Sequence, residues 1–301
     1  MSPEFIQDFK APYGKAESLS PLITRVLCEN PSPYTYTGTG TYLVGNNSSL
    51  AVIDPGPMMP EHGEAILRAV GDRSISHILV THTHIDHSPL SAWLSERTGA
   101  PIYAFSTHGA GRKGGLDGED VEAGADTHFK PDYLIADGHV FTGNGWTLRA
   151  IHTPGHTANH LCFMLEEEKA LFVGDHIMGW ATTVIAPPDG DMRAYFASLK
   201  RVTKEAPSVL YPTHGPKIEN AAPFVRGIIT HRRMREGQIL KHLEDGPMDI
   251  NMMVSRMYKD VDVRLHPAAA RSVLAHLIAL VDEGRVKASK PPSLSALFEL
   301  G

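Results

Sequence analysis

Three histidines and an aspartate crowd into Thr81-His82-Thr83-His84-Ile85-Asp86-His87, directly after the apolar run Ile75–Val80. Side chains this polar and this close together cannot all be satisfied in an apolar core, and histidine is the commonest metal ligand. In an extended or turning segment His82 and His84 project to one side, while Asp86 and His87 swing round beyond it, so one loop can offer ligands to two neighbouring cations. More ligands must then arrive from distant parts of the chain. Candidates are His156 in Thr153-Pro154-Gly155-His156, Asp175 in Gly174-Asp175, and His214 in Pro212-Thr213-His214-Gly215. Each stands where a strand meets a loop with Gly or Pro beside it, so the chain is expected to gather several strand ends at one sheet edge.

The chemistry of the set narrows the cation. The chain has 17 histidines in 301 residues, more than twice the roughly 2% of average usage. Its two cysteines, Cys28 and Cys162, are too far apart in sequence for a CxxC motif and too few for a disulfide framework. Imidazoles with carboxylates and no thiolate suit zinc, and also iron or manganese. An aspartate such as Asp175 can bridge two cations about 3.5–4 Å apart. Two divalent metal ions, most readily Zn2+, are therefore expected.

Around this set the chain alternates β-rich and helical stretches. Strands are expected at Thr41–Val44 and Leu50–Asp54 about an Asn46-Asn47 turn, and at Ile75–Val80, Trp146–Ile151, His160–Leu165, Ala170–Val173 and Val209–Tyr211. Glu61–Val70 and Asp191–Val202 have helical spacing. His108–Gly118 reads as a mobile glycine-rich loop, and it lacks the GK[ST] tail of a P-loop. Near residue 220 the character changes: helices are expected over Pro223–His242, over Ile250–Tyr258 with Asp249 as cap, and over Pro267–Val281, followed by a short strand at Arg285-Val286-Lys287. Three helices and a small β wing outline a winged-helix module. Residues 221–290 hold 12 Lys/Arg and 8 Asp/Glu, a balance of +4; the rest of the chain is at −10, giving the overall −6. Two domains, 1–220 and 221–301, are expected. The N-terminal stretch MSPEFIQDFK has acids where a secretory leader needs bases and is not expected to act as one, and no apolar run nears the roughly 20 residues of a membrane helix. A cytoplasmic protein with no membrane contact is the expectation.

Five segments in this order, Ile53-Asp54-Pro55-Gly56, Thr81–His87, Thr153–His156, Gly174-Asp175 and Tyr211–Gly215, resemble the metallo-β-lactamase superfamily. The Asn30-Pro31-Ser32-Pro33 segment, the Gly38–Val44 strand entry and the helical extension from His231-Arg232-Arg233 are similar to its beta-lactamase-like-protein-2 branch. The resemblance implies an α/β fold, an αβ/βα sandwich with the metals at one edge. It implies that His82, His84 and His156 bind the first metal, that Asp86, His87 and His214 bind the second, and that Asp175 bridges both. Asp54 matches a carboxylate that supports the metal loop from behind the ligands; as a residue it reads equally as the cap of the Pro55-Gly56 turn.

Neighbouring residues read as structural: His152 and His160 as hydrogen-bonded wall positions, Cys162 as core, Met252, Met253 and Met257 as core at helical spacing, and His176 as pointing away from Asp175. Two adjacent dications make a hydroxide nucleophile from a shared water near neutral pH, with Asp86 placed to orient it and manage its proton. The motif specifies hydrolysis without specifying the substrate. The branch resemblance implies an endoribonuclease on single-stranded RNA, for which Arg232, Arg233 and Arg235 on one helix offer phosphate contacts. The acidic catalytic part fits a small-molecule hydrolase better: a thioesterase similar to hydroxyacylglutathione hydrolase, a lactonase, or a β-lactamase-like enzyme. A non-enzymatic metal-binding regulator using the winged helix on DNA is the reading from another class. Oligomeric state is left open.

Overall fold

In the computed structural model, residues 3–10, 12–46, 48–110, 124–259 and 261–301 are described. Asn47 of the expected turn and residues 111–123, covering most of the expected glycine-rich loop, lie outside the described residues.

Two sheets carry the chain's first two-thirds. One holds β1 (Ala16–Ser18), β2 (Ile23–Leu27), β3 (Gly40–Val44), β4 (Ser49–Ile53), β5 (Ser74–Leu79), β6 (Ile102–Ala104) and β7 (Tyr133–Leu134), in spatial as in chain order. The other holds β8 (Val140–Gly143), β9 (Trp146–His152), β10 (Leu161–Leu165), β11 (Ala170–Gly174) and β12 (Val209–Pro212), ordered β12-β11-β10-β9-β8. Period-two alternation decides what each face meets. Along β3 and β4, Tyr42, Val44, Ala51 and Ile53 pack with Trp146, Phe163 and Phe172 of the second sheet. Leu43, Leu50 and Val52 pack instead with Ile66 of α1 (Pro60–Val70) and Leu94 of α2 (Leu90–Thr98). The pairing of Tyr42 with Ile53 keeps these sets apart, and a slip of one residue would exchange them.

The second sheet repeats the pattern. Leu161, Phe163 and Leu165 face the first sheet, while Cys162, Met164, Leu171 and Val173 pack on α3 (Met192–Glu205) and the start of α4 (Ala221–Leu243). The central strands β3, β4, β10 and β11 are buried on both faces, which is why they read as near-continuous apolar runs. The layers are helix, sheet, sheet, helix: the αβ/βα sandwich expected from the sequence. Each large apolar side chain buried between the sheets contributes about 1.5–3 kcal/mol.

Strand direction positions the site. β4 runs parallel to β5 and β11 parallel to β12, while β9 and β11 both run antiparallel to β10. The C-terminal ends of β4, β5, β9, β11 and β12 therefore open toward one edge, and they deliver Asp54, His82, His156, Asp175 and His214. The two sheets are tied there: Gly40 N–H donates to the Thr213 carbonyl at 2.8 Å, and Leu161 N–H to the Thr81 carbonyl at 2.8 Å.

Beyond β12, α4, α5 (Ile250–Met257) and α6 (His266–Asp282) enclose a separate core with a three-stranded sheet, in which β15 (Leu297–Leu300) lies between β13 (Met248–Asp249) and β14 (Val286–Ala288). Asp249 caps α5 by accepting from Met252 N–H at 2.8 Å. Within the expected methionine core, Met253 is buried and Met257 partly so, but Met252 is 45% exposed. The long helix α4 begins just past residue 220 and reaches both cores: Phe224, Val225 and Ile228 belong to the core under the second sheet, Ile239 and Leu243 to the C-terminal core. Strands of only two or three residues (β1, β6, β7, β13) and the weakly amphipathic α2 gave too short or too weak a pattern to be read from the sequence. Among the described residues no helix is long and apolar enough to cross a membrane.

Candidate metal centre

Asp54 is the residue on which the ligand loop is built. It sits at the end of β4 with φ of +49°, a left-handed conformation that an aspartate tolerates better than most residues, and is fully buried. Its Oδ1 accepts from Thr81 N–H at 2.8 Å; its Oδ2 accepts from the hydroxyls of Thr81 at 2.8 Å and Thr213 at 2.9 Å, and lies 2.8 Å from His87 Nδ1. The carboxylate thus clamps the end of β5 to the end of β12, and its hydrogen bonds among the described residues run to Thr81, His87 and Thr213 rather than to the Pro55-Gly56 turn.

The same contacts set the tautomers. An ionised carboxylate only accepts, so His87 carries its proton on Nδ1 and turns Nε2 inward. Thr81 spends its hydroxyl proton on Asp54 and therefore accepts from His82 Nδ1 at 3.0 Å, which frees His82 Nε2. His156 Nδ1 donates to the Val184 carbonyl at 2.7 Å and His214 Nδ1 to the Gly38 carbonyl at 3.1 Å, which turns Nε2 of both rings toward the centre. His84 instead presents Nδ1, 2.9 Å from His82 Nε2 and 3.2 Å from His156 Nε2. Three imidazole nitrogens with at most one proton between any two of them converge at one point.

A second convergence lies beside the first. His214 Nε2 is 3.2 Å from Asp86 Oδ2 and 3.3 Å from Asp175 Oδ1, and His87 Nε2 is 3.5 Å from Asp175 Oδ1 and 3.7 Å from Asp86 Oδ1. Asp175 turns its other oxygen to the first group, 3.7 Å from His156 Nε2. Donor atoms of His82, His84 and His156, of His82, His87 and Asp175, and of Asp86, His87 and His214 form groups able to hold a metal ion. His87 Nε2, His214 Nε2 and Asp175 Oδ1 are buried without a hydrogen-bond partner among the described residues. Orphaned inward-facing nitrogens around carboxylate oxygens fit divalent cations and little else.

Proton energetics point the same way. Burial alone would raise Asp86 and Asp175, but His87 and His214 outweigh it and hold both carboxyls well below their usual range. Burial would likewise lower His87 and His214, yet the carboxylates of Asp86 and Asp175 raise them above the ordinary histidine value. His82, buried and facing His87 and His84, is held well below it. Positive charge is drawn to the carboxylate half and lone pairs gather in the histidine half.

Close packing of backbone holds the ligand turns. Gly155 has φ of +144°, and a Cβ there would come within 2.5 Å of the Tyr195 Cα, so the turn bearing His156 lies directly on α3. Gly174 has φ of +50°, and a Cβ would meet His160 Nε2 at 2.6 Å. His160 is a hydrogen-bonded wall: its Nε2 accepts from Asp175 N–H at 3.2 Å and its Nδ1 lies 2.9 Å from the Thr153 hydroxyl, which reaches Cys162 Sγ in the core. His152 lies 2.9 Å from the Ala158 carbonyl through Nε2 and stacks on Phe105. His176 is buried against the Tyr195 ring, and burial pushes it down to about 3.

The three arginines proposed as phosphate contacts do not share a surface. Arg232 is only 3% exposed; its guanidinium donates to the Thr183 carbonyl and lies over the Tyr195 ring. It is out of reach of an external phosphate. Arg233 pairs with Glu236 at 2.7 Å over Phe196, and Arg235 covers Tyr258 while donating to the Met257 carbonyl at 3.1 Å. The signal for this was in the spacing: Val225, Ile228, Arg232, Glu236, Ile239 and Leu243 recur at three- and four-residue steps and are all buried. Sequence reasoning also missed Thr81, Thr213 and Val184, the partners that orient the ligands.

Comparison with known proteins agrees with this architecture. The sequence model of the metallo-beta-lactamase superfamily matches residues 36–214, and that of the beta-lactamase associated winged helix domain matches residues 250–291. A beta-lactamase-like protein 2 homolog of Caenorhabditis elegans is 32% identical, across 90% of this chain and 88% of its own. An atrochrysone carboxyl ACP thioesterase of a Cryptosporiopsis species is 29% identical, across 96% of this chain and 89% of its own. In fold, a metallo-beta-lactamase family protein from Thermus thermophilus superposes with a TM-score of 0.76, covering 94% of this chain and all of its own at 23% identity. With its ligand loop, its sandwich and its winged helix all accounted for, the chain is a metal-dependent hydrolase of the metallo-β-lactamase superfamily.

Proposed function

We propose that this protein hydrolyses an acyl thioester at a binuclear centre held by His82, His84, His156, Asp86, His87, His214 and Asp175. The observation that carries the reading is the position of Asp175, whose two oxygens face the two donor groups. Two divalent cations held by these residues would lower the pKa of water and stabilise negative charge on an acyl oxygen. Zinc suits five imidazoles and two carboxylates best, with iron or manganese as alternatives.

The chain's own part is to orient, exclude water and move a proton. Asp54, through Thr81, His87 and Thr213, fixes both the ligand loop and the end of β12. Asp175, His87, His156 and His214 are nearly or fully enclosed, whereas the Asp86 side chain is 21% exposed at the mouth. Asp86 is thus the carboxylate placed to accept a proton from the attacking water and return it to the departing thiolate, as the C–O bond forms and the C–S bond breaks. We assign residues 1–220 as the catalytic domain and 221–301 as the winged-helix module, with α4 joining them.

Two features favour a small acyl substrate over RNA. The part of the chain outside residues 221–290 carries a balance of −10, and Arg232 is buried, while Arg233 is exposed but paired with Glu236 and Arg235 is held on Tyr258 and the Met257 carbonyl. A relative named as an acyl-carrier-protein thioesterase gives the thioester its place ahead of an ester or lactam. The test is a panel on the zinc-loaded protein: an acyl-pantetheine thioester, S-lactoylglutathione, a homoserine lactone, a chromogenic cephalosporin and single-stranded RNA. Preferential thioester turnover supports the reading; preferential RNA cleavage overturns it.

A further inference from the structure

Three consecutive residues, Thr183, Val184 and Ile185, tie the ligand set to the C-terminal helices. The Val184 carbonyl accepts from His156 Nδ1 at 2.7 Å, and so decides which nitrogen His156 turns to the centre. The Thr183 hydroxyl donates to the carbonyl of Asp175 at 2.8 Å. On their other side these residues are held from α4 and α6: Arg232 donates to the Thr183 carbonyl, and the Ile185 N–H reaches Ser272 Oγ at 3.4 Å. Arg232 has no carboxylate partner among the described residues, and its Nε lacks an acceptor. Buried charges are normally paired. This one is held by a carbonyl and by the Tyr195 ring, whose hydroxyl donates to the His176 carbonyl at 2.9 Å.

We propose that Arg232, with Ser272, is a positioning residue for the metal centre: the C-terminal module braces the 183–185 segment and thereby presets His156. The module then completes the site from behind instead of recruiting a substrate of its own. This rests on reading His82, His84 and His156 as a cation site, and the experiment separates the two claims.

Full-length wild type, Arg232→Met, Arg232→Lys and Ser272→Ala are compared, each checked for folding. Zinc affinity is measured by competition with a chelator, and the His156 tautomer is read by 15N–1H spectra of the zinc-free protein. Arg232→Met should weaken zinc binding about 10-fold, the lower end for losing an outer partner of a ligand. It should also turn the single Nδ1–H tautomer of His156 into a mixture. Arg232→Lys, which keeps a donor, should recover most of both, and Ser272→Ala, the mildest change, should show a smaller loss. Wild-type affinity and an unchanged tautomer in the Met and Ala variants, with only a lower Tm, would overturn the brace. If wild type binds no zinc while the tautomer still changes, the brace stands and the cation site falls.

Discussion

Replacing Asp54 by Asn keeps the shape and removes the charge on which the ligand loop depends. In wild type Oδ1 accepts one hydrogen bond and Oδ2 is met by Thr81, Thr213 and His87. An amide that keeps its oxygen on Thr81 N–H presents only two protons to those three groups. The simplest rearrangement lets His87 accept through Nδ1, which places its proton on Nε2 and closes that nitrogen to a cation. Losing an outer partner of this kind costs about 10–100-fold in metal affinity, or about 1.4–2.8 kcal/mol. The loss should fall on the Asp86–His87–His214 group and spare the three-histidine group. Exchanging charge-assisted bonds for neutral ones also removes about 3 kcal/mol of folding stability. Stepwise zinc titration against a chelator, beside urea unfolding, reads both quantities. An Asp54→Asn variant that binds zinc in two wild-type steps would refute the role given to Asp54.

Asp175→Asn and His84→Ala should each abolish hydrolysis of every substrate, whereas His176→Ala, whose ring packs on Tyr195, should keep most of the activity; equal loss in all three, measured at matched metal content, would show the roles wrongly assigned. Gly155→Ala should destabilise by about 2–4 kcal/mol and weaken metal binding, because its Cβ collides with the α3 backbone; a wild-type urea midpoint would contradict the close approach. His276 is held down to about 3, first by burial and then by Arg232. It therefore stays neutral in the fold while the unfolded chain takes up a proton near pH 6.5, so its contribution is whole above that pH and is lost as the pH falls. The stability advantage of the protein over His276→Asn should shrink by about 2 kcal/mol between pH 7 and pH 5, and a pH-independent difference would refute it.

The ligands were legible because metal chemistry demands particular side chains at strand ends, and no packing rule explains His82, His84, Asp86 and His87 in one loop. Gly155 and Gly174 were visible as turns, but their close contacts with Tyr195 and His160 arise only when the sheets pack. Arg232 misled because a basic cluster on a helix reads as an exposed face able to contact phosphates. Here α4 is covered at both ends by different cores, and the buried stripe passes through Arg232 and Glu236. The anchors Val184 and Gly38 act through backbone carbonyls, which leave no mark on residue type. In the C-terminal module, β15 adjoins β14 across an eight-residue connection with little apolar patterning, so only one strand of the wing could be read.

Metal stoichiometry tests the central claim most directly. Protein purified without chelator and analysed for elements should carry close to two divalent ions per chain, because seven donors are too many for one tetrahedral ion and Asp175 faces both groups. A reproducible value of one or less, unchanged after added metal, would contradict the binuclear centre.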